Sequence, residues 1–221
     1  MISGRPLATA VLLLTGAVAT GPEPSVRGDA GQSAVQVVAD GCPDIDAYGS
    51  GTMVAPGRVL TSAHVLAGST AVTVRRGEVS VAATVVAFDP IADLAVLAVE
   101  PSVARVVPLG TALAGDHGVV VAVRAGRLTA LPVEVRRAII LQTSDIYRDG
   151  VHDRDAFELQ ADIAPGDSGA AVLVRGRVAA VVFARDRQVP RLAYGLDPAP
   201  IVGRIGNVSP VATGSCAPLG T

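Results

Sequence analysis

Three short segments of this 221-residue chain carry side chains that could act together on a carbonyl carbon. Ser168, within Gly166-Asp167-Ser168-Gly169, offers a hydroxyl. His64, at the end of Thr61-Ser62-Ala63-His64, offers an imidazole, and Asp93, opening Asp93-Leu94-Ala95-Val96-Leu97, offers a carboxylate. A serine hydroxyl is a poor nucleophile at neutral pH. It attacks when an imidazole removes its proton, and the imidazole does so when a carboxylate holds its other nitrogen in the protonated tautomer. Together the three residue types point to nucleophilic acyl transfer. Each alone says little, because Gly/Asp/Ser clusters are ordinary turn chemistry. Asp89 is a rival carboxylate just before Asp93, and His117 and His152 sit in no matching segment.

Groups with such roles need a rigid frame. Short Val-rich and Ala-rich runs, punctuated by Gly, Pro and Asp, predict strands at residues 35–39, 50–54, 58–62, 72–75, 79–88 and 94–99. A turn-rich connection over 100–118 follows. Strands resume at 119–124, 128–141, 157–160, 170–174, 177–184 and 191–196. The pattern is all-β, and six strands on each side of the connection predict two six-stranded antiparallel barrels. Arg75-Arg76-Gly77-Glu78 and Val174-Arg175-Gly176-Arg177 read as hairpin turns, with Gly supplying positive φ. Asp197 as cap and Pro198 at the first position predict a short C-terminal helix.

The order of the three groups along the chain is informative. His, then Asp, then Ser differs from the Ser-Asp-His order of α/β-hydrolases and the Asp-His-Ser order of subtilisins. Gly166-Asp167-Ser168-Gly169-Ala170 also lacks the Gly-x-Ser-x-Gly spacing of an esterase elbow. The segment from Gly49 through Ser62-Ala63-His64-Val65 resembles the first-barrel signature of trypsin-like serine proteases of the chymotrypsin fold. Phe88-Asp89-Pro90 leading into Asp93-Leu94-Ala95-Val96-Leu97 resembles the HtrA type. Ser144-Asp145-Ile146-Tyr147, with Phe157 through Gly169, is similar to the periplasmic acid-resistance proteases of actinobacteria. The resemblance spans residues 35–196.

It implies a secreted serine endopeptidase with a Ser168-His64-Asp93 triad in the cleft between the barrels and an acyl-enzyme intermediate. The backbone N–H groups of Gly166 and Ser168 would form its oxyanion hole, and protein or peptide its substrate. By the same resemblance Asp162 stands at the floor of the primary specificity pocket, where a carboxylate would select Arg or Lys side chains. Arg185 could instead neutralise it, leaving Asp162 a loop residue. Phe183, Ala184 and Arg185 would face the substrate, and Tyr194 would back the pocket. Asp167 matches the aspartate that pairs with a new N-terminus or an internal base, and no activation sequence is visible to supply the former. Ala170-Ala171 departs from the usual pattern after the nucleophile without removing a chemical group. Relatives lead one to expect a PDZ domain or a membrane region, neither of which is seen, so a free exported enzyme is expected. The alternative is a latent or inactive protease-fold binding module.

Composition sets separate bounds. Half of the residues are hydrophobic, the formal net charge is -2, and all 18 basic residues are arginine. The chain can bury a substantial core, and nothing implies a nucleic-acid partner or a cofactor. Residues 1–19 read as a signal peptide, with an apolar run too short for a membrane span before a small-x-small Ala17-Val18-Ala19 site. The expected location is therefore secreted or cell-envelope, in a GC-rich bacterium. The expected layout is a flexible segment at 20–32, a protease domain at 33–208 with barrels near 33–100 and 117–197, and a tail at 209–221. Two cysteines in an exported chain, Cys42 and Cys216, predict a disulfide tying that tail to the start of the domain. No Cys/His spacing matches a zinc site. Oligomeric state is left open.

Overall fold

A computed structural model describes residues 28–42 and 45–218. The expected signal peptide and most of the 20–32 segment lie outside the described residues. Where that segment is described it carries a helical turn, α1 (Asp29–Ser33), tied to the later chain by a hydrogen bond from Arg105 N–H to the Gln32 carbonyl.

Twelve strands follow in two sets. The first is β1 (Ala34–Cys42), β2 (Ile45–Ala55), β3 (Arg58–Thr61), β4 (Ala71–Arg76), β5 (Val79–Asp89) and β6 (Leu94–Ala98). They pair in the order β1-β2-β3-β6-β5-β4 and close because β1 also pairs with β4. The second is β7 (His117–Arg124), β8 (Arg127–Ser144), β9 (Val151–Gln160), β10 (Ala171–Val174), β11 (Arg177–Arg185) and β12 (Leu192–Leu196). It closes through β10 and β7. The chain is therefore all-β, two antiparallel six-stranded barrels. Closure matters physically because the first and last strands of each sheet pair with one another, leaving unpaired only strand ends that outrun a shorter neighbour, such as residues 183–185 of β11 beside β10.

Small β-branched residues explain how such short strands suffice. Val35, Val37, Met53, Val59, Val74 and Leu97 fill the first barrel, and Val120, Ala122, Leu159, Val172 and Val182 fill the second. A third apolar layer joins them, with Leu60, Val86, Leu94 and Val96 from one barrel meeting Val121, Val123, Leu173 and Val181 from the other. That shared layer fixes the cleft. Complementary groups carried on separate barrels can then hold a constant distance.

β9 starts six residues before the sequence pattern suggested. Its first half, Val151-His152-Asp153-Arg154-Asp155-Ala156, carries four polar residues in a row, yet pairs fully with β8. The Arg175-Gly176 turn has φ of +50° and +71°, the two left-handed residues of a type I′ hairpin. The C-terminal helix, α2 (Ala199–Val202), begins one residue later than expected, with the Asp197 carboxylate accepting the N–H of Ala199. Beyond it the chain is irregular but anchored. Val211 N–H donates to the Val85 carbonyl, and Cys216 is bonded to Cys42.

Candidate active site

The first barrel supplies a histidine and an aspartate. His64 sits in a turn of 3-10 helix (Ala63–Val65) at the end of β3, and Asp93 in the turn joining β5 to β6. Asp93 has φ +53°, a left-handed conformation that aspartate adopts more readily than most residues. Its side chain is fully buried. Its Oδ2 lies 2.7 Å from His64 Nδ1, and its Oδ1 accepts the His64 backbone N–H, also at 2.7 Å. A carboxylate can only accept, so Nδ1 carries the proton and Nε2 is left as the basic nitrogen.

Burial of His64 disfavours its charged form. Asp93, through charge and hydrogen bond, outweighs that and holds the imidazole above its ordinary pKa, with Arg154 pulling the other way. Asp89, the rival carboxylate, accepts N–H groups of Ile91 and Ala92 and pairs with Arg204. It folds the turn that presents Asp93. His117 and His152 begin β7 and β9; the His152 ring contacts the Asp149 carbonyl.

The second barrel supplies the loop of residues 161–170, which is stitched across the cleft. The Ser168 carbonyl accepts the N–H of Ser50 at 2.8 Å, and Gly169 N–H donates to the Val182 carbonyl at 2.9 Å. That same carbonyl accepts the Ser62 hydroxyl, two residues from His64. Gly169 has φ +82°, and a Cβ there would lie 2.2 Å from the Ser50 carbonyl oxygen. Only glycine fits at that crossing. Among the described residues the Ser168 hydroxyl has no hydrogen-bond partner.

Backbone donors in this loop divide into two groups. The N–H groups of Asp167, Gly169 and Ala170 are used internally. Those of Gly166 and Ser168 make no hydrogen bond among the described residues. Gly166 has φ +93°, and its carbonyl accepts the buried Ser50 hydroxyl at 2.9 Å, while that hydroxyl oxygen accepts Val123 N–H, also at 2.9 Å. Two unspent donors flanking Asp167 are what an oxyanion hole requires.

Asp167 is completely buried and ion-paired with Arg124, the last residue of β7. The guanidinium donates from Nε at 2.7 Å and also reaches the Asp162 carbonyl. Asp167 further accepts the N–H of Ala164 at 2.9 Å. An internal base therefore fills the place left open in the sequence. Burial disfavours its charge less than Asp167 favours it, so Arg124 is held above its usual pKa.

The other expected residues fall in two places. A cavity of about 320 Å³ is lined by Asp162, Ile163, Arg185, Asp186, Arg187 and Arg191, among others. Asp162 thus shares its cavity with three arginines. Tyr194 pairs with Ala184 across β11 and β12, and its hydroxyl reaches Asp186. Phe183 lies instead in a second cavity with His64 and Asp93, its ring edge-on to His64 with centroids 6.5 Å apart.

Arg124, Ser50 and Arg154 were missed from sequence. The available signal was a polar or charged residue on the inward phase of an alternating strand, clearest for Arg154 between exposed Asp153 and Asp155.

A double barrel with a paired histidine and aspartate on one barrel and a Gly-Asp-Ser-Gly loop on the other has the features of the trypsin-like, chymotrypsin-fold class. Residues 49–181 match the trypsin-like peptidase domain family. The chain is also 38% identical over 176 residues to two Mycobacterium tuberculosis proteins named serine protease Rv3671c and serine protease MT3772, a match covering 76% of this chain and 44% of each relative. This chain belongs to the trypsin-like peptidase family. It spans less than half the length of those curated relatives. The crystal structure of the Rv3671c protease in its active form superposes with a TM-score of 0.80 at 35% identity, covering 88% of this chain and 90% of that one. An inactive form of the same protease gives 0.67, covering 80% of this chain and 90% of that one. The HtrA-type protease AlgW with a tripeptide, at 21% identity and TM-score 0.68 over 79% of this chain and 59% of that one, shares the fold.

Proposed function

We propose that this chain is a serine endopeptidase that cleaves peptide bonds through an acyl-enzyme. His64 Nε2 takes the Ser168 proton as the hydroxyl attacks the scissile carbonyl, and Asp93 stabilises the imidazolium that forms. The N–H groups of Gly166 and Ser168 receive the developing oxyanion. The histidine then protonates the leaving amine, and a water repeats the cycle on the ester. The observation that carries this reading is the His64-Asp93 pair, fixed through ring and backbone at once, together with a loop on the second barrel whose two unspent donors flank Asp167.

The likeness to the active form of the Rv3671c protease supports the assembled reading over a latent binding module. Extended peptide lying along Phe183, Ala184 and Arg185 is the proposed substrate, added as a strand. Export through cleavage after Ala19, and formation of the Cys42–Cys216 bridge outside the cytoplasm, belong to the same proposal. N-terminal sequencing of the secreted form should begin at Thr20. Among the described residues no helix is long and apolar enough to cross a membrane.

The test is covalent labelling of the oxidised protein with a fluorophosphonate, read by intact mass beside Ser168→Ala. One adduct on the parent and none on the variant is the expected result. No adduct from pH 5 to 9 would leave the binding module as the better account.

A further inference from the structure

Arg154 is a buried cation with an unusual set of partners. It is 5% exposed, and a buried guanidinium is costly unless paired with a carboxylate. Among the described residues no carboxylate oxygen lies within ion-pair distance. Its Nε donates to the carbonyl of Ile91, its Nη2 donates to the carbonyl of Ser144 at 2.9 Å, and its Nη1 is buried without a partner. The guanidinium carbon stands 5.2 Å from the centre of the Phe183 ring, and that ring meets His64 edge-on. Arg154 and Phe183 line the same cavity as His64 and Asp93.

We propose that Arg154 is a positioning residue for the catalytic pair: reaching from the second barrel, it clamps the turn that presents Asp93 and sets a fixed positive charge beside the Asp93 carboxylate and the His64 ring. This rests on the reading of His64 and Asp93 given under Proposed function. Ile91 precedes Asp93 by two residues in a turn with left-handed backbone at its end. A donor from β9 on the Ile91 carbonyl ties that turn to the opposite barrel. A direct hydrogen bond to Asp93 would compete with His64 for the same oxygens. By donating to backbone carbonyls instead, Arg154 leaves both oxygens to His64 and acts on the pair through its field.

The field has a direction. Asp93 favours the imidazolium, yet His64 has to be neutral to accept the serine proton. A cation nearby offsets part of that pull and keeps neutral imidazole available at lower pH. The other charged groups around Arg154 are Asp93, Asp145 and Asp89, with Arg148 in the same cavity. Asp145 is held by the N–H groups of Tyr147 and Asp149, and Asp89 by Ile91, Ala92 and Arg204. Neither changes position to replace the arginine.

The experiment is an NMR titration of the His64 imidazole, in the full oxidised chain carrying Ser168→Ala, with Arg154→Gln and Arg154→Lys compared to the parent. The pH profile of fluorophosphonate labelling is recorded on the same variants with Ser168 restored. Arg154→Gln should raise the His64 midpoint by roughly half a unit to one unit and move the acid limb of labelling upward by the same amount. Arg154→Lys keeps the charge and loses the forked clamp. It should label more slowly with the limb within about 0.2 unit of the parent. An unmoved midpoint in Arg154→Gln would reduce Arg154 to a structural tie and overturn the proposal. If Arg154→Gln does not fold, Arg154→Lys decides: a midpoint raised by half a unit or more despite the retained charge overturns it, and an unmoved midpoint with slowed labelling upholds it. Failure of the function reading looks different, as absence of labelling in the parent.

Discussion

Asp93 receives both the Nδ1–H of the His64 ring and the backbone N–H of His64, at 2.7 Å each, so one buried carboxylate sets the tautomer, the tilt and the position of the imidazole together. Asp93→Asn keeps the shape and presents a donor where an acceptor is needed, which flips the tautomer and should lower kcat by about 10⁴-fold. Stopped-assay kinetics on a generic casein substrate would measure it. A variant retaining a tenth of the parent rate would remove Asp93 from the mechanism.

The pH dependence follows from the same pair. Burial lowers the His64 pKa and Asp93 raises it by more, leaving it above the ordinary value of 6.5. Activity that needs the neutral ring should therefore rise through a midpoint above 6.5. The stability linkage has the opposite sense, because a group whose folded pKa is raised contributes stability below its unfolded value and loses it as pH rises through the folded one. Urea midpoints should accordingly decline slightly from pH 6 to 8 while activity climbs. In Asp93→Asn the activity midpoint should move to lower pH, while the decline of the urea midpoint should vanish or reverse, because burial and Arg154, which both lower the His64 pKa, are then unopposed.

Arg124 and Asp167 make a second testable pair. Asp167 is wholly buried, and the Arg124 side chain is 30% exposed. Removing one partner of a buried pair typically costs about 3–5 kcal/mol. Water near Arg124 brings the expected cost of Arg124→Met to about 2–3 kcal/mol. Because Arg124 also holds the Asp162 carbonyl, the loop carrying Gly166 and Ser168 loses its brace. Labelling should slow by about 10–100-fold, one lost oxyanion donor being the upper bound. Parent-like labelling in a destabilised Arg124→Met would confine the pair to folding.

Ser50 joins the barrels beneath the same loop. Its buried hydroxyl donates to the half-buried Gly166 carbonyl and accepts from the buried Val123 N–H. Ser50→Ala strands that buried donor, at about 1–3 kcal/mol. It also frees the Gly166 peptide to rotate. Chemical denaturation and labelling rate should fall together, and a loss of stability with the rate untouched would separate Ser50 from the oxyanion hole.

How much of this was legible beforehand depended on whether a residue acts through its neighbours in sequence. His64, Asp93 and Ser168 each lie in a contiguous segment that singles out the residue as a candidate, and the structure brings His64 and Asp93 into contact. The twelve strands were legible for a similar reason, since Val and Ala alternate with turns at Gly and Pro. Ser50 and Arg154 act across the cleft on the backbone carbonyls of Gly166 and Ile91, and Arg124 acts within the second barrel on that of Asp162, each far away in sequence. No local pattern records a partner that distant. The start of β9 was missed because polar His152 and Arg154 occupy its inward phase, so the segment shows no apolar alternation.

The disulfide closes a long loop. Cys42 and Cys216 are 174 residues apart, and chain entropy gives such a bridge at most about 5 kcal/mol. It pins the tail beside the segment that follows His64. Gly68 N–H donates to the Thr213 carbonyl, the Tyr147 hydroxyl donates to that same carbonyl, and a Cβ on Gly68 would lie 2.6 Å from Cys216 N. Replacing both cysteines with serine should lower the urea midpoint by an amount worth about 2–4 kcal/mol. An unchanged midpoint would show that tail packing alone holds this corner.

The proposed role of Asp162 in specificity depends on the charge around it. Its exposed carboxylate shares a cavity with Arg185, Arg187 and Arg191, while Asp186 is occupied by the N–H groups of Gln188 and Val189. Three cations against two carboxylates give no net attraction for an Arg or Lys side chain, and among the described residues none of the arginines is drawn into an ion pair that would leave Asp162 as the dominant charge. The selection of basic residues expected from its position is thereby weakened by neighbours that the resemblance did not supply. A peptide-library cleavage profile should show no enrichment of Arg or Lys at the residue before the scissile bond. Arg185→Gln with Arg187→Gln should then introduce one, because removing two positive charges leaves Asp162 and Asp186 against Arg191 alone. A parent profile already dominated by basic residues would restore Asp162 as the selecting charge, and loss of that preference in Asp162→Asn would complete the case.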